Sequence, residues 1–287
     1  LAQTIVAKAE VVPNRNLPLF DPPSTGLHFS TVPSETEIIQ ARLFEEPLVL
    51  IGGKPAPSEN QSLATALLHY SERASQDDFS SLTGFLAQHP KSPWRAALLT
   101  DLGLEYYQAA YYSLALEAWQ EAWALGQQAT DAKGKFLADR AVCELAGLYS
   151  RLGCMKELAA LLKSVEQRLF LGGTSERISL AREALSMMHN QPGISFRCGP
   201  LALQSIMRSL NLQTTNDMAI FNSASTQQGF SLPQVAKLSQ TVGLNYQMAF
   251  CESAGKFVIP SVVHWKVGHY AALVRKEGDR YLLEDPT

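Results

Sequence analysis

The sequence predicts an α+β protein in which a long all-helical region precedes a smaller unit of helices packed on an antiparallel sheet. Three observations carry this. From about Ser62 to Met188, apolar residues recur at three- and four-residue steps, the period of an amphipathic helix. At Asn190-Gln191-Pro192-Gly193 the composition changes. Beyond Gly243 the period becomes two, with Leu244, Tyr246, Met248 and Phe250 alternating as a half-buried strand does. The expected organisation is an extended, Pro-rich segment over 1–60, a helical domain over 61–189 and an α+β domain over 190–287.

Composition fits that reading. The chain has 287 residues, 46% hydrophobic and 18% charged, which is a globular composition with room for two cores. Its formal charge of −3 supplies neither the basic field that nucleic acid needs nor a polybasic membrane patch, and no apolar run is long enough to span a membrane. Leu1-Ala2-Gln3-Thr4 lacks signal-peptide anatomy and reads as a processing boundary. Cys143, Cys154, Cys198 and Cys251 form no CxxC pair and no metal-ligand spacing.

In chain order, prolines 13, 18, 22, 23, 33, 47, 55 and 57 keep the first segment extended, with a short strand expected over 47–51. Leu63, Ala66, Leu67 and Tyr70 open the helical region, and Phe79, Leu82, Phe85 and Leu86 form a second stretch ending at His89-Pro90. Leu99, Leu102, Gly103, Tyr106, Tyr112, Ala115, Trp119 and Ala122 follow, in an order and spacing that resemble a tetratricopeptide helix pair. Ala146, Tyr149, Leu152, Gly153, Leu158 and Leu162 give a weaker copy, with the polar 127–135 stretch as an insertion. Such repeats stack into scaffolds that hold peptides or neighbouring domains. Trp94, Trp119 and Trp123 read as helical core. Cys143 and Cys154 read as core residues or partners to one another.

In the last domain, Cys198-Gly199-Pro200 reads as a helix entrance, with Leu203, Ile206, Met207 and Leu210 as the apolar face behind it. A thiol there lies at the positive end of the helix dipole, which favours the thiolate. Ser231-Leu232-Pro233-Gln234 reads as a capping box, opening a helix through Val235, Leu238 and Val242 that Gly243 stops. Strands are expected over 257–264, 269–275 and 280–283. A three-residue hairpin loop at Lys276-Glu277-Gly278 pairs Arg275 with Asp279 and sets His269 directly opposite Asp285. That supplies a thiol, an imidazole to take its proton, and a carboxylate to fix the imidazole tautomer. His264, five residues before His269, reads as a packed or half-exposed histidine on the other face, and Cys251 as structural.

Cys198-Gly199-Pro200, Phe230-Ser231-Leu232, Ile259-Pro260-Ser261, His264-Trp265, Gly268-His269-Tyr270 and Glu284-Asp285-Pro286 together resemble the C39 cysteine peptidases over about residues 190–287. Those papain-like domains cleave leader peptides after a double glycine. The resemblance implies Cys198 as nucleophile, His269 as general base and acid, and Asp285 as orienting carboxylate, with no metal or organic cofactor. The family's oxyanion Gln stands six residues before its Cys; Pro192 occupies that position, and Gln191, seven before, is the candidate. The chain stops two residues after Asp285 where the family continues, which implies a piece of a longer polypeptide. The whole layout is similar to a segment of large bacterial repeat-rich proteins of the RHS/YD type, exported or of the cell envelope. Expected partners are a peptide or protein substrate and the rest of the same polypeptide, with no nucleic acid. Two double glycines, Gly52-Gly53 and Gly172-Gly173, invite self-processing, although Gly172-Gly173 also reads as a helix C-cap. The alternative function is a peptidase-like module that binds or braces without cleaving.

Overall fold

The structure of the protein, a computed structural model, describes residues 26–212, 217–251, 256–278 and 280–285. Eight helices make up the first part: α1 (Glu35–Gln40), α2 (Pro57–Ser71), α3 (Ser80–Gln88), α4 (Arg95–Gln108), α5 (Tyr112–Gly126), α6 (Ala132–Leu152), α7 (Met155–Ser164) and α8 (Gly173–Asn190). The predicted extended segment is therefore not wholly extended, and its first 25 residues lie outside the described ones. In α1, Ser34 and Glu37 cap the helix reciprocally, and Ile38 is buried. The strand expected over 47–51 does not form. Leu48 and Val49 are buried, yet the segment joins no sheet; Ile51 N–H donates instead to Pro93 O at 2.9 Å.

One apolar core runs through these helices. Gly103 of α4 lets α5 approach closely: a Cβ on Gly103 would come within 2.2 Å of Trp119 Nε1. Trp119 is fully buried there and its indole N–H donates to Thr100 O at 3.0 Å. Cys143 is buried and Cys154 half-buried, and neither forms a disulfide. Gly172-Gly173 corrects its expected role. α7 ends at Ser164, and Gly172, at φ +59°, is the N-cap of α8, so the pair opens a helix. The intervening chain bends back into the core through Phe170.

The second part follows through α9 (Pro192–Ser195), α10 (Cys198–Ser209), α11 (Asp217–Phe221) and α12 (Leu232–Thr241), then β1 (Ser261–His264), β2 (Tyr270–Glu277) and β3 (Arg280–Glu284). The strands form an antiparallel sheet in the order β1-β2-β3. α10 lies on the central strand, joining Ala202, Leu203, Ile206 and Met207 to Val235 of α12 and Tyr270 and Ala272 of β2. Ser231 N–H donates to Gln234 Oε1 at 2.8 Å, as the capping box requires, and Gly243 ends the turn after α12 at φ +83°. The molecule is thus broadly α+β.

The strand read from 244–250 is absent: Leu244 and Tyr246 are only half-buried, and Met248 and Phe250 are exposed. The chain is tied to Ser239 there by the N–H groups of Leu244 and Tyr246 rather than to a neighbouring strand. Cys251 is consequently exposed rather than structural.

The hairpin register also differs from expectation. Glu277 pairs with Arg280 and Arg275 with Leu282, so the tip has two residues, and a bulge between Leu273 and Arg275 shifts the ladder again. Asp279 lies outside the described residues. Carried one step beyond Ala272↔Glu284, the register sets Asp285 across from Ala271 rather than from His269.

Candidate active site

Cys198 is the first residue of α10, where the helix leaves its first N–H groups without intrahelical partners. Two close contacts hold that helix end in place. A Cβ on Gly199 would lie 2.7 Å from Val235 Cγ2, so the glycine allows α10 to sit hard against α12. Phe196, two residues upstream, is buried against Gly153, which caps α6 at φ +71°. The loop before the thiol is therefore anchored in the helical part. Ser225 adds a clamp: its N–H donates to Gly193 O at 3.0 Å and its hydroxyl to Pro192 O at 2.5 Å.

His269 precedes β2 and is only 1% exposed. A tight turn delivers it: Trp265 N–H donates to His269 O at 2.8 Å, Gly268 N–H donates to Trp265 O at 2.9 Å, and Gly268 takes φ +80°. Despite the shifted register, its Nε2 lies 2.9 Å from Asp285 Oδ1. The side chains meet diagonally across the hairpin, within reach of neighbouring strands. With Nε2 engaged, Nδ1 is the nitrogen left for the Cys198 thiol.

Electrostatics follow from these contacts. Burial alone would raise the Cys198 thiol, but the His269 hydrogen bond, the Tyr270 N–H, the imidazole charge and the Gly199 N–H outweigh it, and the thiol lies below its ordinary range. Burial likewise opposes charge on His269. The Asp285 and Cys198 hydrogen bonds and the negative charge on both partners override it and push the imidazole up to about 9. The two shifts describe one coupled pair that favours thiolate and imidazolium together. Elsewhere the thiols are pushed the other way, Cys143 to about 12 and Cys154 to about 11, mainly by burial.

His264 stacks on Tyr270, with ring centroids 4.2 Å apart, and burial together with the His269 charge holds it below its usual value. It is a neutral neighbour of the site. Gln191 ends α8. Its N–H donates to Met187 O at 2.7 Å, and its carbonyl accepts from the N–H groups of Ile194 and Ser195. The residue is exposed, and among the described residues no hydrogen bond joins its amide to Cys198. The structure thus gathers Cys198, His269 and Asp285 and leaves Gln191 apart from them. A residue the sequence reading assigned to repeat packing joins them instead: the Tyr112 hydroxyl donates to Asp285 Oδ2 at 2.8 Å. The two are 173 positions apart, and no local pattern signals such a contact.

A thiol at a helix N-terminus, a buried imidazole and a carboxylate behind it, carried on helices over an antiparallel sheet, define a cysteine peptidase-like domain. The sequence profile of the Peptidase C39 family matches residues 194–287, so this part of the chain is a C39-like domain. The match does not extend to helices α1–α8. No curated protein and no solved structure matches the chain. No helix of the described residues is long and apolar enough to cross a membrane.

Proposed function

We propose that the chain is a cysteine peptidase in which Cys198 attacks the scissile carbonyl, His269 carries the proton and Asp285 orients the imidazole. The observation that carries this is the buried His269, its Nε2 2.9 Å from Asp285 Oδ1 and its electrostatics coupled to Cys198, with the thiol lowered and the imidazole raised. The ion pair makes the sulfur nucleophilic before substrate arrives, and the imidazolium then protonates the leaving amine. The backbone N–H of Cys198 at the helix entrance is one oxyanion donor, and Gln191 is the second once a peptide draws its amide inward. The family resemblance extends the proposal to cleavage after small residues of the Gly-Gly type. It needs neither metal nor organic cofactor.

Helices α1–α8 serve, on this reading, as a tetratricopeptide-like dock for substrate or for the rest of a longer bacterial polypeptide of an exported or envelope type. A groove of about 900 Å³ supports the docking role; Tyr107, Arg151 and Leu180 are among its lining residues. Tyr107 of its wall packs on Tyr112, with ring centroids 5.7 Å apart, and Tyr112 in turn bonds Asp285, which links the groove to the site. The exposed position of Gln191 favours a second reading, a module that binds peptides and cleaves slowly or not at all. Loss of one oxyanion donor costs about 10²–10³ in rate.

Iodoacetamide labelling followed by peptide mass spectrometry tests the nucleophile. At pH 7, Cys198 is expected to label faster than the exposed Cys251; equal or slower labelling overturns the peptidase reading. Hydrolysis of a Gly-Gly-containing peptide library should follow a bell-shaped pH profile. Activity rises as the lowered Cys198 thiol ionises and falls through about pH 9, where His269 loses its proton. Fast labelling without hydrolysis supports the binding module. Self-processing is read from intact mass: cleavage after Gly53 or Gly173 should occur in the native chain and not in Cys198→Ala, and identical masses dispose of it.

A further inference from the structure

The carboxylate of Asp285 has two oxygens, and each receives a donor from a different part of the chain. Oδ1 faces His269 Nε2 at 2.9 Å, within the C39-like domain. Oδ2 accepts the Tyr112 hydroxyl at 2.8 Å, from the first residue of α5 in the helical part. A carboxylate held through one oxygen swings about its Cβ–Cγ bond. Held through both, it keeps Oδ1 aimed at the imidazole.

Tyr112 is itself fixed. The α4–α5 turn passes through Ala110 at φ +62°, a left-handed conformation, and closes with Tyr111 N–H donating to Tyr106 O at 2.8 Å. This turn starts α5 at Tyr112. The tyrosine ring then lies against Tyr107 on its own side and against Trp265 and His269 on the other, with centroids 5.7, 5.8 and 6.5 Å away. Burial, and then the Asp285 hydrogen bond and charge, push its hydroxyl well above the ordinary tyrosine range, so it remains a proton donor wherever the site works. Further contacts tie the same two parts together: Arg280 of β3 reaches Gln76 and Asp77 between α2 and α3, at 3.2 and 3.7 Å, and Phe196 packs against Gly153.

We infer that Tyr112 is a positioning residue for the catalytic carboxylate, so that the helical part completes the active site as well as flanking it. The inference rests on the peptidase reading above, because it concerns how Asp285 sustains the Cys198–His269 ion pair. Without the hydroxyl, Asp285 holds the imidazolium less well, and the thiolate it stabilises becomes harder to form.

The test uses the 287-residue chain and its Tyr112→Phe, Asp285→Ala and doubly substituted variants, with iodoacetamide as the probe. Tyr112→Phe removes one oxygen and leaves the ring packing intact. It is expected to slow Cys198 labelling at pH 6 by about three- to ten-fold and to move the onset of labelling to higher pH, with the thermal midpoint little changed. In the Asp285→Ala background the same substitution should change nothing, because a residue acting through the carboxylate has no effect once the carboxylate is gone. A purely structural tyrosine would instead alter the midpoint and add its effect in both backgrounds. A second measurement needs no tyrosine variant: the native hydroxyl proton should give a slowly exchanging NMR resonance that disappears in Asp285→Ala.

Native Cys198 labelling with an ordinary thiol onset overturns the peptidase reading and this role with it. A low native onset that Tyr112→Phe leaves unmoved, an additive effect in the double variant, or an absent hydroxyl resonance overturns the Tyr112 role alone.

Discussion

Substituting His269 by Ala is expected to leave Cys198 unreactive towards iodoacetamide at pH 7. Two of the four influences on the thiol that oppose burial come from the His269 side chain, its hydrogen bond and its charge; the other two, the Tyr270 and Gly199 N–H groups, belong to the backbone and remain. Once the imidazole is gone, burial remains as the main influence and drives the thiol upward, as it does at Cys143 and Cys154. Peptide hydrolysis should fall by about 10²–10⁴-fold, the range of a lost general acid–base group. His269→Gln, which fills more of the vacated space in this buried position, controls for collapse around the cavity. Both variants should fail alike. Labelling at pH 7 that persists at the native rate in either one would show that the helix entrance alone activates Cys198.

The largest effect on stability is expected from Gly103→Ala in the helical part. The added methyl would meet Trp119 at 2.2–2.6 Å, and the indole is 1% exposed and cannot step aside. Relief requires α4 and α5 to separate or Trp119 to rotate, and rotation gives up its hydrogen bond to Thr100 O. Overpacking and the lost bond together should cost about 3 kcal/mol. For a unit of about 150–250 residues, the size class of the helical part, that lowers the unfolding midpoint by roughly 6–12 °C. Differential scanning calorimetry measures it, and a loss below about 1 kcal/mol would contradict the close packing of these helices. The Tyr112 contact depends on the same helix pair. Gly103→Ala should therefore also slow Cys198 labelling, although Gly103 touches no residue of the site.

The sequence by itself determined where most of the helices lie and which residues to propose for the Cys–His–Asp site. Leu63, Leu67, Leu82, Phe85 and Trp119 fall on helical periods and are buried, because a 3.6-residue repeat of apolar side chains has one face to hide. Ser231 and Gln234 announce a cap that local hydrogen bonds alone are enough to build. Cys198-Gly199-Pro200 marks a helix entrance for the same reason: its determinants are neighbours in the chain.

Tertiary structure decided the rest. Leu244, Tyr246, Met248 and Phe250 have a strand's alternation, yet a strand also needs a partner, and this segment pairs with neither β1 nor β3: the N–H groups of Leu244 and Tyr246 go to Ser239 instead. The two-residue tip moved the hairpin register and the bulge after Leu273 shifted it again, and the His269–Asp285 contact survived because side chains reach farther than backbone pairing. Gln191 has the right chemistry for an oxyanion donor, but the α8–α9 junction leaves it exposed and unbonded to Cys198 among the described residues. Tyr112 lies 173 residues from the carboxylate it holds. Its role follows from packing the helical part against the C39-like domain, an arrangement that no periodicity or local motif encodes.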